Sequence, residues 1–234
     1  ALTTAQVVAL TTTQAEKLGT AQLAALTSAQ VKALEAADLG KLTSTQLRAI
    51  TTAAIAGLDS AQVGGLTTVQ VSNLTDAQVG ALSVAQVKGI EEADLATMTA
   101  TQLQAISSAA VGQLSTAQVA ALTTDQIDKL TTAQIKSLTT AQMKALSADQ
   151  TAKLSTAQLN ALSGVQVAAL DAGDLANLTT TQVQSLTTAA VAAMTTTQVS
   201  TLNTAQAAGL TTAQVRALTT AQVVALTTTQ AEKL

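Results

Sequence analysis

Leu2-Thr3-Thr4-Ala5-Gln6-Val7-Val8-Ala9 is followed at once by Leu10-Thr11-Thr12-Thr13-Gln14-Ala15-Glu16-Lys17, and variants of this eight-residue phrase continue to the end of the sequence. Set in rows from Leu2, 29 octads align without an insertion or deletion. Position 1 is Leu, Ile or Met in all 29 rows. Position 2 is Ser or Thr in 23, the exceptions being Gly19, Glu35, Asp59, Glu91, Asp171 and Asn203. Position 5 is Gln in 23, replaced elsewhere by Asp38, Asp94 and Asp174 or by Ala54, Ala110 and Ala190. Position 6 is Val, Leu, Ile or Met in 25, and positions 7 and 8 hold all eleven Lys and Arg residues.

A continuous helix does not fit an eight-residue period, because at about 100° per residue each octad would advance by about 80° and the Leu stripe would spiral round the axis. A supercoil needs a period of seven or eleven. A flat strand fails as well, since positions 1 and 6 have opposite parity and face opposite sides. Each octad therefore contains a turn. Ser or Thr followed three residues later by Gln is a capping box, and the residues flanking it at N′ and N4 form a hydrophobic staple. Those flanking residues are positions 1 and 6, so Leu2 staples to Val7 across a cap at Thr3. Asp, Asn and Gly, the main substitutes at position 2, are accepted N-caps. The expectation is an all-α solenoid with one short helix per octad, from position 3 to about position 8. Helices of this length are unstable alone, so stacking between units must hold them. A β-solenoid built on Thr and Val is the alternative. The capping spacing, the Ala and Gln content and the lack of fixed Gly or Asn turns oppose it.

The 234 residues include no Phe, Tyr, Trp, Pro, Cys or His. Without Cys there is no thiolate ligand, nucleophile or disulfide; without His there is no imidazole base for the many hydroxyls. No Ser has Lys three residues on. An enzyme is not expected, nor a cofactor or a small-molecule substrate. Eleven basic and 14 acidic residues are scattered along the chain, giving a net charge of −3. With no basic stripe and no aromatic platform, nucleic acid is not an expected partner. No apolar run is long enough to span a bilayer, so membrane insertion is not expected either.

Three phrases of three octads stand out. They begin at Leu34, Ile90 and Leu170; in each an acidic octad is followed by a regular Gln octad and then by one with Ala in the Gln slot. Glu35 with Asp38, Glu91 with Asp94, and Asp171 with Asp174 are weak candidates for cation ligands, since hard cations take carboxylate oxygen. The plainer reading makes them acidic capping boxes at helix N-termini. If the acidic octad touches the Ala octad across one turn, the solenoid has about three octads per turn. If the three phrases instead share one face, their spacings of 7 and 10 octads give slightly more than three.

The stretch 1–18 recurs unchanged at 217–234, an offset of 27 octads. The expectation is one continuous solenoid over 1–234, a window of a longer array whose super-repeat is 27 octads, with no polar capping unit and able to associate end to end into filaments.

Octads such as Leu2–Ala9, of the form Leu-Thr-Thr-Ala-Gln-Val-x-Ala, resemble the short Ala/Thr-rich repeats of very large bacterial surface and secreted, adhesin-like proteins. The resemblance covers the whole chain. It implies export and a structural or adhesive role, and it brings no functional residues with it; with the unbroken repeat, the absent chemistry and the uncapped ends, the leading expectation is an extracellular or cell-surface stalk, sheath or filament. Two alternatives remain open: an ice- or surface-binding solenoid using a threonine ladder at positions 2 and 3, and a protein-binding scaffold presenting positions 7 and 8.

Overall fold

Within each octad the chain leaves one helix, passes two extended residues and enters the next. In octad 42 (octads are named by their first residue) Leu42 lies at φ −63°, ψ 136° and the N-cap Thr43 at φ −67°, ψ 158°, and the helix Ser44–Ala49 follows. The Thr43 hydroxyl accepts from the Gln46 amide at 3.2 Å, while Gln46 Oε1 accepts from the Thr43 amide at 2.8 Å. This is the reciprocal cap anticipated at the Thr–Gln spacing, and it satisfies two of the amides that a helix start leaves orphaned. The bend between helices comes from this extended pair. No residue among those described has positive φ, so the link needs neither Gly nor Asn.

The computed structural model describes residues 2–234, in which 29 helices of four to six residues and no strand are present. The chain divides into two compact units, one running to Ala121 and the other Leu122–Leu234. In the first, octads pack against those three away: 2 on 26, 50, 74 and 98; 10 on 34, 58, 82 and 106; 18 on 42, 66, 90 and 114. In the second, the stacks are 122–146–170–194–218, 130–154–178–202–226 and 138–162–186–210. Each unit is thus a three-sided helical solenoid in which three octads make one coil.

The three octads of a coil point positions 1 and 6 inward. In octad 66, Leu66 is 4% exposed and Val71 is 1% exposed; in octad 154, Leu154 and Leu159 are both fully buried. Aliphatic groups build the whole core, and only small residues fit where helices of successive coils meet closely. A Cβ on Gly64 would lie 2.7 Å from the Gly89 carbonyl oxygen of the next coil, and one on Gly164 would lie 2.6 Å from the Ala193 Cβ.

The period of three octads agrees with the sequence reading, but the two routes to it do not hold. The acidic octad 34 stacks on octads 10 and 58, whereas the Ala octad 50 stacks on octads 26 and 74. Octads 34 and 90 occupy different stacks of the first unit, so those two phrases do not share a side. Each phrase instead makes up one complete coil.

Candidate functional site

The polar feature that recurs along both units is a ladder of glutamines, most of them buried. Gln78 is 2% exposed. Its Oε1 accepts from the Thr75 amide at 3.0 Å, and its Nε2 donates to the carbonyls of Leu47 at 2.9 Å and Ile50 at 2.8 Å, in the preceding coil. In the second unit Gln198 Nε2 donates to the Val167 and Leu170 carbonyls, each at 2.8 Å, and Gln206 Nε2 to those of Leu175 at 2.9 Å and Leu178 at 2.6 Å. The acceptors sit near the end of one helix and at the first residue of the next octad, as Leu47 and Ile50 do. One side chain therefore caps its own helix with its oxygen and ties it to the preceding coil with its nitrogen. Buried amides with both ends satisfied stabilise and also fix register.

The capping box accounts for only half of this. A capping box accepts Glu as readily as Gln at N3, yet position 5 is never Glu. That absence is the sequence signal for the second role, because a carboxylate would supply no donor to the facing carbonyls.

The six acidic candidates behave differently from capping boxes. Neither Glu35 nor Glu91 makes a side-chain cap, and only Asp171 does, accepting from the Gly173 amide at 2.8 Å. The acidic-box reading is corrected accordingly: Glu is longer than the residues that cap well, and Asp is one methylene too short to reach back as Gln does. Asp38 and Asp94 are buried, at 2% and 3% exposure, in the slots that Gln occupies elsewhere; Asp174 is half-buried. Burial, and secondarily the Asp171 charge, raise the Asp174 pKa from its ordinary value. The candidates fall in three separate octads, and no group of three or more Asp and Glu able to hold a metal occurs among the described residues.

Elsewhere the surface carries little concentrated chemistry. An open recess of about 620 Å³ beside the first coil is lined by Leu2, Leu18, Leu26 and the amides of Gln6, Gln22 and Gln30. A shallower one of about 410 Å³ brings Lys88 beside Glu91 and Glu92. Two ion pairs join sequence neighbours, Lys17 with Glu16 at 3.8 Å and Lys129 with Asp128 at 2.8 Å; the Asp128 hydrogen bond and charge raise the Lys129 pKa. Such surface pairs add little stability. No helix among the described residues is long and apolar enough to cross a membrane.

Thr132, Thr156, Thr180, Thr204 and Thr228 occupy position 3 in successive octads of one stack, all exposed or half-exposed. They form the most regular row of hydroxyls in the second unit.

No curated protein matches the chain. A model of the ALTTAQ repeat matches residues 31–68, 87–124, 124–156, 167–204 and 202–234, well over half of the sequence and overlapping both units. A tandem Ala-Leu-Thr-Thr-Ala-Gln phrase, capped by its Thr and bonded to the preceding coil by its Gln, places this chain in the ALTTAQ repeat family.

Proposed function

We propose that this repeat segment stiffens an extracellular filament, sheath or adhesin stalk of a bacterial surface or secreted protein, with no catalytic role. The observation that carries the reading is the glutamine ladder. Each regular coil presents amide donors toward the preceding coil and carbonyl acceptors toward the following one, as Gln62, Gln70 and Gln78 do against the carbonyls of Leu34, Leu42 and Ile50. A coil with one donor face and one acceptor face is a unit that adds to its own kind, and such heterologous contacts extend when they do not close. Self-association follows the same logic: a second copy would meet an acceptor face with a donor face. Electron microscopy of the purified chain over a range of concentrations tests this. Rods that lengthen end to end support it; particles of one short, concentration-independent length refute the self-association.

The threonine row from Thr132 to Thr228 favours one second reading, binding to ice or a mineral face through ordered hydroxyls and methyls. Thermal hysteresis with shaped ice crystals supports that role, and its absence at high protein concentration excludes ice as the target.

A further inference from the structure

We infer that octads 34 and 90 each hold a divalent cation of the calcium type between coils, on Asp38 with Glu35 and on Asp94 with Glu91. The inference starts from two carboxylates left without a partner. Asp38 and Asp94 are 2% and 3% exposed and stand where most octads place a ladder glutamine. Neither carboxylate is hydrogen-bonded, and neither joins the two ion pairs among the described residues, Lys17 with Glu16 and Lys129 with Asp128. The little surface they keep lies at the carboxylate oxygens, so unlike the sealed Thr151 hydroxyl they can be reached from solvent. A buried charge with neither donor nor counter-charge is costly, and a bound ion removes that cost.

The surroundings add oxygen and no donor. In a regular octad the glutamine nitrogen donates to carbonyls 28 and 31 residues back, as Gln78 does to Ile50 and Leu47. Octad 34 stacks on octad 10, and octad 90 on octad 66. The same register sets Asp38 against the Leu10 and Val7 carbonyls, and Asp94 against those of Leu66 and Val63. The Val7 and Val63 carbonyls already accept from the Leu10 and Leu66 amides, each at 3.2 Å, while the Leu10 and Leu66 carbonyls have no donor among the described residues. Where an amide would bridge the coils, carboxylate oxygen faces carbonyl oxygen across a closely packed junction. A positive charge between them reconciles the two.

A second carboxylate stands beside each. In regular octads the side chains of positions 2 and 5 meet, Thr43 Oγ1 lying 2.8 Å from Gln46 Oε1. The only two glutamates at position 2, Glu35 and Glu91, fall in these two octads, and neither spends its carboxylate on a cap. No three carboxylates converge, so the backbone completes the set: two carboxylates and two carbonyls at each junction. Calcium suits such ligands, because it takes carboxylate, carbonyl and water oxygen at about 2.3–2.6 Å in irregular geometry, whereas magnesium demands a near-octahedral shell. The third acidic octad marks the limit of the assignment. Asp171 is committed to the Gly173 amide and Asp174 is only half-buried, so no site is assigned there.

Sites with so few charged ligands bind calcium at about 0.1–1 mM. Amide hydrogen exchange of the intact chain, resolved by peptide, tests the assignment in about 10 mM calcium chloride against sodium chloride of equal ionic strength. At about ten times its Kd a bound ion slows exchange through the opened state about tenfold. The expected result is that slowing in octads 34 and 90 and none in coil 194–217, which has no acidic residue. Asp38→Asn with Asp94→Asn should abolish the response, since Asn keeps the shape and offers the facing carbonyls a donor. Glu35→Gln with Glu91→Gln, at exposed positions, should weaken it several-fold and decides the matter if the Asn variant does not fold. Three results would each overturn the proposal: unchanged exchange in calcium, slowing spread evenly over all coils, or protection gained in acid but not in calcium, which would put a proton on the carboxyl instead.

Discussion

Replacing Gln78 by Ala separates the two roles of the ladder glutamine. The substitution removes three hydrogen bonds: the one accepted from the Thr75 amide and the two donated to Leu47 and Ile50. At about 1 kcal/mol net for each bond, the expected loss is about 3 kcal/mol, at a site only 2% exposed. The comparison is Thr75→Ala, which removes only the hydroxyl that accepts from the Gln78 amide at 3.1 Å, a cap worth about 1 kcal/mol. Long repeat arrays depart from two-state unfolding, so a single midpoint is a poor measure. Native-state hydrogen exchange resolved by peptide gives the opening free energy of octads 42–57 and 74–81 directly. Gln78→Ala should lower it in both, since the bonds cross between coils, and Thr75→Ala mainly in its own octad. If the two substitutions cost the same and act only locally, the glutamine is a cap and nothing more, and the ladder argument fails.

Further outcomes follow from particular contacts. Thr151 is fully buried in a slot that is Val, Leu, Ile or Met in most octads, and its hydroxyl is the one buried side-chain polar atom without a partner among the described residues. Thr151→Val should therefore raise the local opening free energy by about 1–2 kcal/mol in native-state hydrogen exchange. Gly64→Ala should destabilise by about 1–3 kcal/mol because its Cβ meets backbone at 2.7 Å, whereas Gly40→Ala, whose nearest contact is 3.9 Å, should stabilise by up to about 1 kcal/mol. The Asp174 pKa is raised in the folded state, so its carboxylate opposes folding: stability rises as pH falls through the folded pKa and is lost as pH climbs past it. Asp174→Asn should exceed the parent in thermal stability at neutral pH and lose that advantage in acid.

The octad, its cap and its staple were legible because they are local: Thr3, Gln6, Leu2 and Val7 all fall within one octad, and their spacing favours a capped helix over a strand. The coil of three octads was also anticipated, although by reasoning that the stacks of octads 34 and 50 do not support. The second hand of the glutamine was harder to see. Its acceptors are backbone carbonyls of the preceding coil, more than three octads back along the chain, such as those of Leu47 and Ile50 for Gln78. Every residue type possesses such a carbonyl, so the partner leaves no mark on composition. Only the exclusion of Glu from position 5 carries that information. The acidic phrases were misread for a related reason. A cap is defined within one helix, but the consequence of placing Asp38 or Ala54 in the Gln slot falls on the junction with another coil.

The extended pair that links successive helices has a consequence for how such genes change length. Because the link needs no left-handed residue, any copied octad can be spliced in without a special turn to match it. Position in the stack is less forgiving. Adding one octad would hand every later helix to a neighbouring side, whereas adding three returns each to its own. The identical stretches that begin at Ala1 and Ala217 are offset by 27 octads, a multiple of three. Duplication by whole coils leaves later packing partners on their own side, whereas the acidic phrases, 7 and 10 octads apart, recur out of step with the coil.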